Sequence, residues 1–203
     1  MFSLFKSKPD SSNKTMDDLK LNLGCGYNKL SGYLNVDKFA ECSPDLVVDL
    51  ETFPWPFEND SVSEIYLNHV LEHLGATVET FKGIIQELYR VCRHDAIIQI
   101  NVPHPRHDNF LDDPTHVRAI TPNLMTLFDR SKCDEWEKLD VANSQLAKYW
   151  HVDMRITEVV FMPVPKYLEA YRSGAITDRE IAELAETQNN IISEYSIKLK
   201  VVK

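Results

Sequence analysis

The sequence predicts an α/β fold: a doubly wound, mostly parallel, seven-stranded Rossmann-like sheet with an antiparallel C-terminal edge strand. Three observations predict it. Short apolar runs alternate with turns and one amphipathic helix in the first half of the chain, a pattern typical of parallel strands with right-handed crossovers. A glycine turn follows the first run. The chain then ends in a predicted helix, followed by a predicted strand in which apolar and polar residues alternate.

The length of 203 residues predicts one domain with a short extension, since domains usually run to roughly 100–200 residues. We expect residues 19–203 to form this domain and residues 1–18 to be a loose tail that is polar after Phe5. The alternative is that Phe2, Leu4 and Phe5 dock on a neighbouring surface. Residues 104–150 are rich in His, Asp, Pro and aromatic residues, and we expect an insertion or lid on one side of the site.

Seven apolar runs bounded by turn-forming residues are predicted to be strands. They lie at residues 20–23, 33–37, 46–50, 62–68, 96–102, 156–162 and 196–202.

Three helices are predicted. The clearest has apolar residues at spacings of three and four, at Val78, Phe81, Ile85, Leu88 and Cys92, after Thr77 as N-cap. A second covers 122–128, with proline at its first position. The third opens with a capping box at residues 177–180. Its apolar face is expected to hold Ile181, Leu184, Ala185, Ile191 and Ile192.

Composition argues against several classes of protein. Lys plus Arg is 22 and Asp plus Glu is 31, a net charge of -9, so bulk nucleic acid is a poor partner. None of the four cysteines forms a C-x-x-C pair, which argues against a paired-cysteine zinc site or a redox pair. A reduced, cytoplasmic setting is the simplest expectation. No run approaches the ~20 apolar residues of a membrane span.

Residues that could contact a ligand follow three successive predicted strands. Gly24-Cys25-Gly26 comes after the first, Asp37 ends the second, and Asp49-Leu50 ends the third. Glycines allow close approach of the backbone to a ligand, and ligands of open α/β sheets bind at the carboxyl ends of strands. Asp37 would accept hydrogen bonds from ribose hydroxyls. Taken singly, each feature is equally compatible with an ordinary turn or cap.

The segments LNLGCG, YLNVD and VVDLETFPWPFENDSVSEIYLNHVLEHL resemble the class I S-adenosylmethionine-dependent methyltransferases, over residues 20–103. The resemblance implies that the cofactor is S-adenosyl-L-methionine. It places Asp37 at the ribose and the side chains of Asp49 and Leu50 at the adenine, with Glu72 and His73 on the first turn of the next helix. The remaining cofactor-binding residues that it implies are Leu23, Gly24, Cys25, Gly26, Asn68 and His69.

The chain departs from the pattern of this family in two places. Asn22 stands where the family often has an acidic residue, which alters the expected contact with the amino group of the ligand. Only ten residues separate Gly26 from Asp37, so the usual crossover helix must be one turn or nearly absent.

Histidines cluster after the fourth and fifth predicted strands. His69 and His73 flank Glu72 in the order H-V-L-E-H, which is not the H-E-x-x-H metal motif, and we predict no metal site. His104, His107 and His116 are the candidate catalytic residues, because a histidine can take the proton of an acceptor hydroxyl or amine. A polar surface loop and a divalent-metal site remain alternatives for this segment.

The function expected from the resemblance is methyl transfer from S-adenosyl-L-methionine to an O or N atom of a small molecule or glycan. One alternative is a catalytically silent S-adenosylmethionine-binding module. Another is an NAD-dependent oxidoreductase, although Lys29 stands where the third glycine of the dinucleotide motif would be.

Overall fold

A computed structural model describes residues 18–203 and shows one seven-stranded sheet within them. The predicted tail at 1–18 lies, except for Asp18, outside the described residues. The strands are β1 Leu19–Leu23, β2 Leu34–Asp37, β3 Leu46–Val47, β4 Val62–Asn68, β5 Cys92–Pro103, β6 Met154–Pro163 and β7 Ile192–Val201.

The strand order is β3-β2-β1-β4-β5-β7-β6, with the first five strands mutually parallel. β7 runs antiparallel to both β5 and β6. The predicted fold class is confirmed, including the antiparallel C-terminal strand. That strand lies one place in from the edge, which β6 occupies, because Ile197, Leu199 and Val201 of β7 are fully buried.

The helices occupy the connections between strands. They are α1 Val78–Val91, α2 Asp108–Leu111, α3 Pro122–Thr126, α4 Arg130–Lys138, α5 Leu146–Tyr149, α6 Pro165–Arg172 and α7 Asp178–Thr187. Short 3-10 helices cover Ala40–Cys42 and Leu71–His73. None of these helices is long and apolar enough to cross a bilayer.

The apolar face of α1 packs against the sheet. Thr77 caps its start by accepting the Thr80 N–H at 3.1 Å, as predicted. Phe81 projects into an aromatic cluster, with its ring centroid 6.2 Å from that of Phe128 and 6.3 Å from that of Trp150. Phe128 and Trp150 therefore make part of the 104–150 segment integral to the core. Its role as a lid stays a prediction.

The two faces of the sheet differ in polarity. Buried and partly exposed side chains alternate along β4 and β7, which is typical of strands with one solvated face. On the polar face, Asn101 donates hydrogen bonds to Tyr66 and Asn68, and Gln99 bonds to Ser196. This part of the sheet therefore has one apolar and one polar face.

Four local predictions were wrong. Cys92, predicted for the apolar face of α1, is the first residue of β5. β3 ends at Val47, because the chain turns at Asp49, whose carbonyl accepts the Thr52 N–H. Glu72 and His73 lie in a separate 3-10 helix, since Gly75 at φ +71° interrupts the chain before α1. α7 ends at Thr187, so the predicted face at Ile191 and Ile192 belongs to the start of β7 and its approach.

Removing the aromatic ring at the centre of the core tests this packing. We expect Phe81→Ala to lower the free energy of unfolding by about 3–5 kcal/mol, because the side chain is 2% exposed and a cavity would remain. Val78→Ala on the same helix is the control, since Val78 is 60% exposed and should change the value by about 0.5 kcal/mol or less. Urea titration measures both. Equal losses of unfolding free energy in the two variants would contradict the packing of Phe81 in the core.

Candidate functional site

The three strand ends singled out in the sequence line one cavity. Gly24 follows β1, Asp37 ends β2, and Asp49 lies just beyond β3, with Leu50 next to it; all four border a cavity of about 390 Å³. The parallel register of β1, β2 and β3 explains the convergence, because their carboxyl ends meet at one edge of the sheet.

The carboxylate of Asp37 joins the first two strand ends. Its Oδ2 accepts the Gly26 N–H at 2.8 Å, and its Oδ1 accepts the Phe39 N–H at 2.9 Å. The residue is only 7% exposed. An ionised carboxylate has about four acceptor positions, so each oxygen retains one for a hydroxyl in the cavity.

Position 24 requires a glycine, because its φ is positive and the side chain of Val70 lies close to it. Its φ is +65°, and an added Cβ would lie 2.5 Å from Cγ2 of Val70. A side chain here would strain the backbone and press on the cavity wall. The glycine motif is therefore a steric feature of this site.

Four other predicted cofactor-binding residues do not line the cavity. Leu23 is fully buried and Cys25 is 4% exposed, and burial raises the pKa of the Cys25 thiol, with Asp37 adding to the effect. Gly26 contributes through its N–H bond to Asp37. The Asn68 side chain accepts from Asn101 on the polar face of the sheet.

Asn22 fixes the short loop after β1. Its Nδ2 donates to the carbonyl of Asn28 and to Oδ1 of Asn35, both at 2.9 Å. Oδ1 of Asn35 also accepts the Leu30 N–H at 2.8 Å. Residues 24–33 contain no helix, as predicted from the loop length, and side-chain amides hold the turn where a crossover helix would normally stand.

Several cavity residues escaped the sequence analysis. Some adjoin predicted residues in the chain, so sequence proximity could have identified them. Thr115 lies far from the other cavity residues in the chain, and no local signal points to it. The missed residues are Lys38, Phe39, Val48, Val70, Leu74 and Thr115. His73 also lines the cavity, although the sequence singled it out only within the H-V-L-E-H segment and not as a cofactor-binding residue.

His69 lines the cavity between two carboxylates. Its φ is +54°, which turns the chain out of β4. Nδ1 lies 3.4 Å from Oε1 of Glu72, and Nε2 lies 3.1 Å from Oε2 of Glu194. The Glu72 carboxylate, followed by that of Glu194, raises the pKa of His69 against the opposing effect of burial.

The rings of His73 and His116 contact each other, although the two residues are distant in the sequence. Their ring centroids are 4.6 Å apart, and the His116 ring also stacks on Phe110 at 5.3 Å. His73 lines the cavity directly, whereas His116 lies behind it. The carboxylate of Glu72, which is fully buried, has an oxygen atom close to both rings.

The other two predicted catalytic histidines lie elsewhere. Nδ1 of His104 accepts the Arg106 N–H at 3.1 Å, and Nδ1 of His107 accepts the Asn109 N–H at 3.0 Å. Each neutral ring therefore carries its proton on Nε2. Burial, with Arg106 and His107, lowers the pKa of His104, which borders a separate apolar cavity of about 730 Å³ between β6, α6 and α7.

The raised pKa of His69 gives a pH-dependent contribution to stability. The histidine–carboxylate attraction is fully present below the unfolded pKa of about 6.5 and is lost as the pH rises through the higher folded pKa. We expect NMR titration to place the folded pKa above 6.5 and Glu194→Gln to lower it. Glu158→Gln, on the edge strand, is the control. An unchanged His69 pKa in Glu194→Gln would refute the pairing.

No protein-family model matches the sequence, and no curated protein matches it. The fold is similar to solved structures. An S-adenosylmethionine-dependent methyltransferase from Archaeoglobus fulgidus is 17% identical, with 91% of this chain and 87% of that chain covered and a TM-score of 0.59.

A methyltransferase of the same kind from Methanosarcina mazei is 13% identical, with 92% and 93% covered and a TM-score of 0.52. The YcgJ protein of Bacillus subtilis is 15% identical, with 93% of each chain covered and a TM-score of 0.52. The chain therefore has the fold of S-adenosylmethionine-dependent methyltransferases.

Proposed function

We propose that this protein transfers a methyl group from S-adenosyl-L-methionine to an O or N atom of a small molecule or glycan. The observation that carries the proposal is the convergence of Gly24, Asp37 and Asp49 on one cavity at the carboxyl edge of a sheet with the methyltransferase fold. Fold alone does not establish an activity, so the chemistry of the cavity has to fit the cofactor.

The residues of the cavity fit this cofactor. S-adenosyl-L-methionine presents ribose hydroxyls, a flat adenine and a cationic sulfonium. Asp37 offers carboxylate acceptors at one strand end, and Asp49 offers a second, exposed carboxylate. Leu50 and the half-exposed ring of Phe39 provide apolar surface for the adenine. When bound, the cofactor would supply an electrophilic methyl group.

The protein residues then act by positioning. Asp37 would hold the ribose, because its carboxylate is already oriented by two backbone N–H groups. Gly24 would lie beside the methionine portion, since its backbone borders the cavity next to Val70. Holding both reactants in attack geometry can account for much of a rate enhancement.

We place the acceptor beside His73 and Thr115, on the opposite wall of the same cavity. Thr115 and His116 belong to the 104–150 segment, which supports its predicted acceptor-side role. Of the three predicted catalytic histidines, His116 alone contacts a residue of this wall, because its ring lies against that of His73, and we assign it a positioning role. The hydrogen bonds of His104 and His107 make their Nε2–H groups donors, which does not suit a base.

Loss of the Asp37 charge should weaken cofactor binding with little change in shape. We expect Asp37→Asn to reduce the affinity for S-adenosylhomocysteine about tenfold or more, because a hydrogen bond to a charged group contributes roughly 1.5–3 kcal/mol. Asp95→Asn is the matched control, since Asp95 lies on the remote part of β5 with an exposed side chain. Isothermal titration calorimetry measures each affinity.

Three results would contradict the proposal in different ways. Equal affinities in Asp37→Asn and wild type would remove the ribose role. Binding of NAD in preference to S-adenosylhomocysteine would favour an oxidoreductase. Tight binding of S-adenosylhomocysteine without methyl transfer to a broad panel of hydroxyl and amine acceptors would favour a silent binding module.

A further inference from the structure

Glu72 is a buried carboxylate without a hydrogen-bond partner. The residue is 0% exposed, and neither carboxylate oxygen receives a hydrogen bond. The nearest cation, Nδ1 of His69, is 3.4 Å from Oε1, but it does not reach hydrogen-bond geometry. Within residues 18–203, no lysine or arginine pairs with this carboxylate. Buried charges are normally hydrogen-bonded, paired or bound to a metal, and among the described residues this carboxylate has only the His69 ring as an ion-pair partner.

Two histidines present free nitrogen atoms beside it. Nδ1 of His116 lies 2.8 Å from the carbonyl of Phe110, so this nitrogen carries a proton. The hydroxyl of Thr115 donates to Asp113 at 2.6 Å. The same hydroxyl must therefore accept from Nδ1 of His73, 2.9 Å away. In the neutral rings, Nε2 of both His73 and His116 consequently has a free lone pair.

The three groups are close enough to share one ion. One ligand atom from each of Glu72, His73 and His116 lies within 4.8 Å of the others. Ligands about 2.0–2.2 Å from a tetrahedral Zn²⁺ are roughly 3.4 Å apart. Binding of an ion would therefore draw these ligand atoms together by up to about 1.4 Å.

We propose that Glu72, His73 and His116 bind one divalent transition-metal ion. Two imidazoles with one carboxylate suit Zn²⁺, Fe²⁺, Mn²⁺ or Co²⁺ better than Mg²⁺ or Ca²⁺, which prefer oxygen ligands alone. Three protein ligands also leave a position open, as in catalytic zinc sites. The order H-V-L-E-H concealed the site, because its second histidine ligand comes from residue 116.

The surroundings of the two histidines are those of metal ligands. Ligating histidines usually donate their second ring N–H to a carbonyl, a carboxylate or a hydrogen-bonded group that fixes the ring. Phe110 serves His116 in this way through its carbonyl, and Thr115 with Asp113 serves His73. Both rings are therefore oriented before an ion arrives.

The proposed metal site also has a role in methyl transfer, and this step rests on the proposed function. Because His73 lines the cofactor cavity, an ion held by these residues would lie next to the cavity and would lower the pKa of an acceptor hydroxyl that binds to it. The hydroxyl proton passes to solvent, and an oxygen lone pair forms the new bond to the methyl carbon. The carbon–sulfur bonding pair returns to sulfur. The favoured acceptors are therefore hydroxyl compounds.

Calorimetric titration of the metal-stripped full chain with Zn²⁺, without cofactor, tests the site directly. We expect one Zn²⁺ per chain and a loss of affinity of about tenfold or more in His116→Gln and Glu72→Gln. His94→Gln is the matched control, because His94 is exposed on β5 and should leave affinity unchanged. Absence of binding in wild type, or equal affinity in His116→Gln, would overturn the proposal.

A further variant tests the site without changing a ligand or a core residue, so that a loss of Zn²⁺ binding is not caused by misfolding. Asp113→Asn changes neither a ligand nor the core, but it weakens the hydrogen-bond chain through Thr115 to His73. We expect about 10–100-fold weaker Zn²⁺ binding with unchanged thermal unfolding of the chelated protein. Unchanged Zn²⁺ affinity in this variant would contradict the assigned histidine ligands, because the Asp113 carboxylate also lies 3.8 Å from Nε2 of His116. Because no cofactor is present, a failure of methyl transfer leaves these results unaffected.

Discussion

The site depends on one hydrogen-bonded carboxylate. Asp37 ends β2 and accepts the N–H groups of Gly26 and Phe39, so the loop after β1 and the loop after β2 are fixed to each other. A charge-assisted bond of this kind is stronger than a neutral one, and its burial limits competition from water. Because no crossover helix joins β1 to β2, this carboxylate and the Asn22–Asn35 hydrogen bond hold the connecting loop in place.

Local sequence signals were sufficient for much of the fold. The apolar spacing and N-cap of α1, the strand after the glycine turn and the parallel first half all follow from periodicity and turn chemistry. The insertion of β7 between β5 and β6 places the more buried of the two C-terminal strands beside β5. That outcome is decided by contacts distant in sequence, such as Ile100 with Ile197, and not by a local pattern.

The cofactor side of the site was more predictable than the acceptor side. Gly24, Asp37 and Asp49 each mark a strand end, and strand ends of a parallel sheet converge by topology. The acceptor wall instead brings His73 next to His116 through two loops that have no periodic signal. The burial of Glu72 was unpredictable for the same reason. It depends on the distant segment around Val117 and Arg118, whose backbone N–H groups donate to the backbone carbonyl of Glu72.

The central claim is that three strand ends enclose one adenosyl group, and a structure of the protein with bound S-adenosylhomocysteine tests it most directly. We predict ribose hydroxyls within hydrogen-bond distance of the Asp37 carboxylate and the adenine between Leu50 and Phe39. A ligand located away from this edge of the sheet, or a cavity closed by the side chains of the protein itself, would contradict the account.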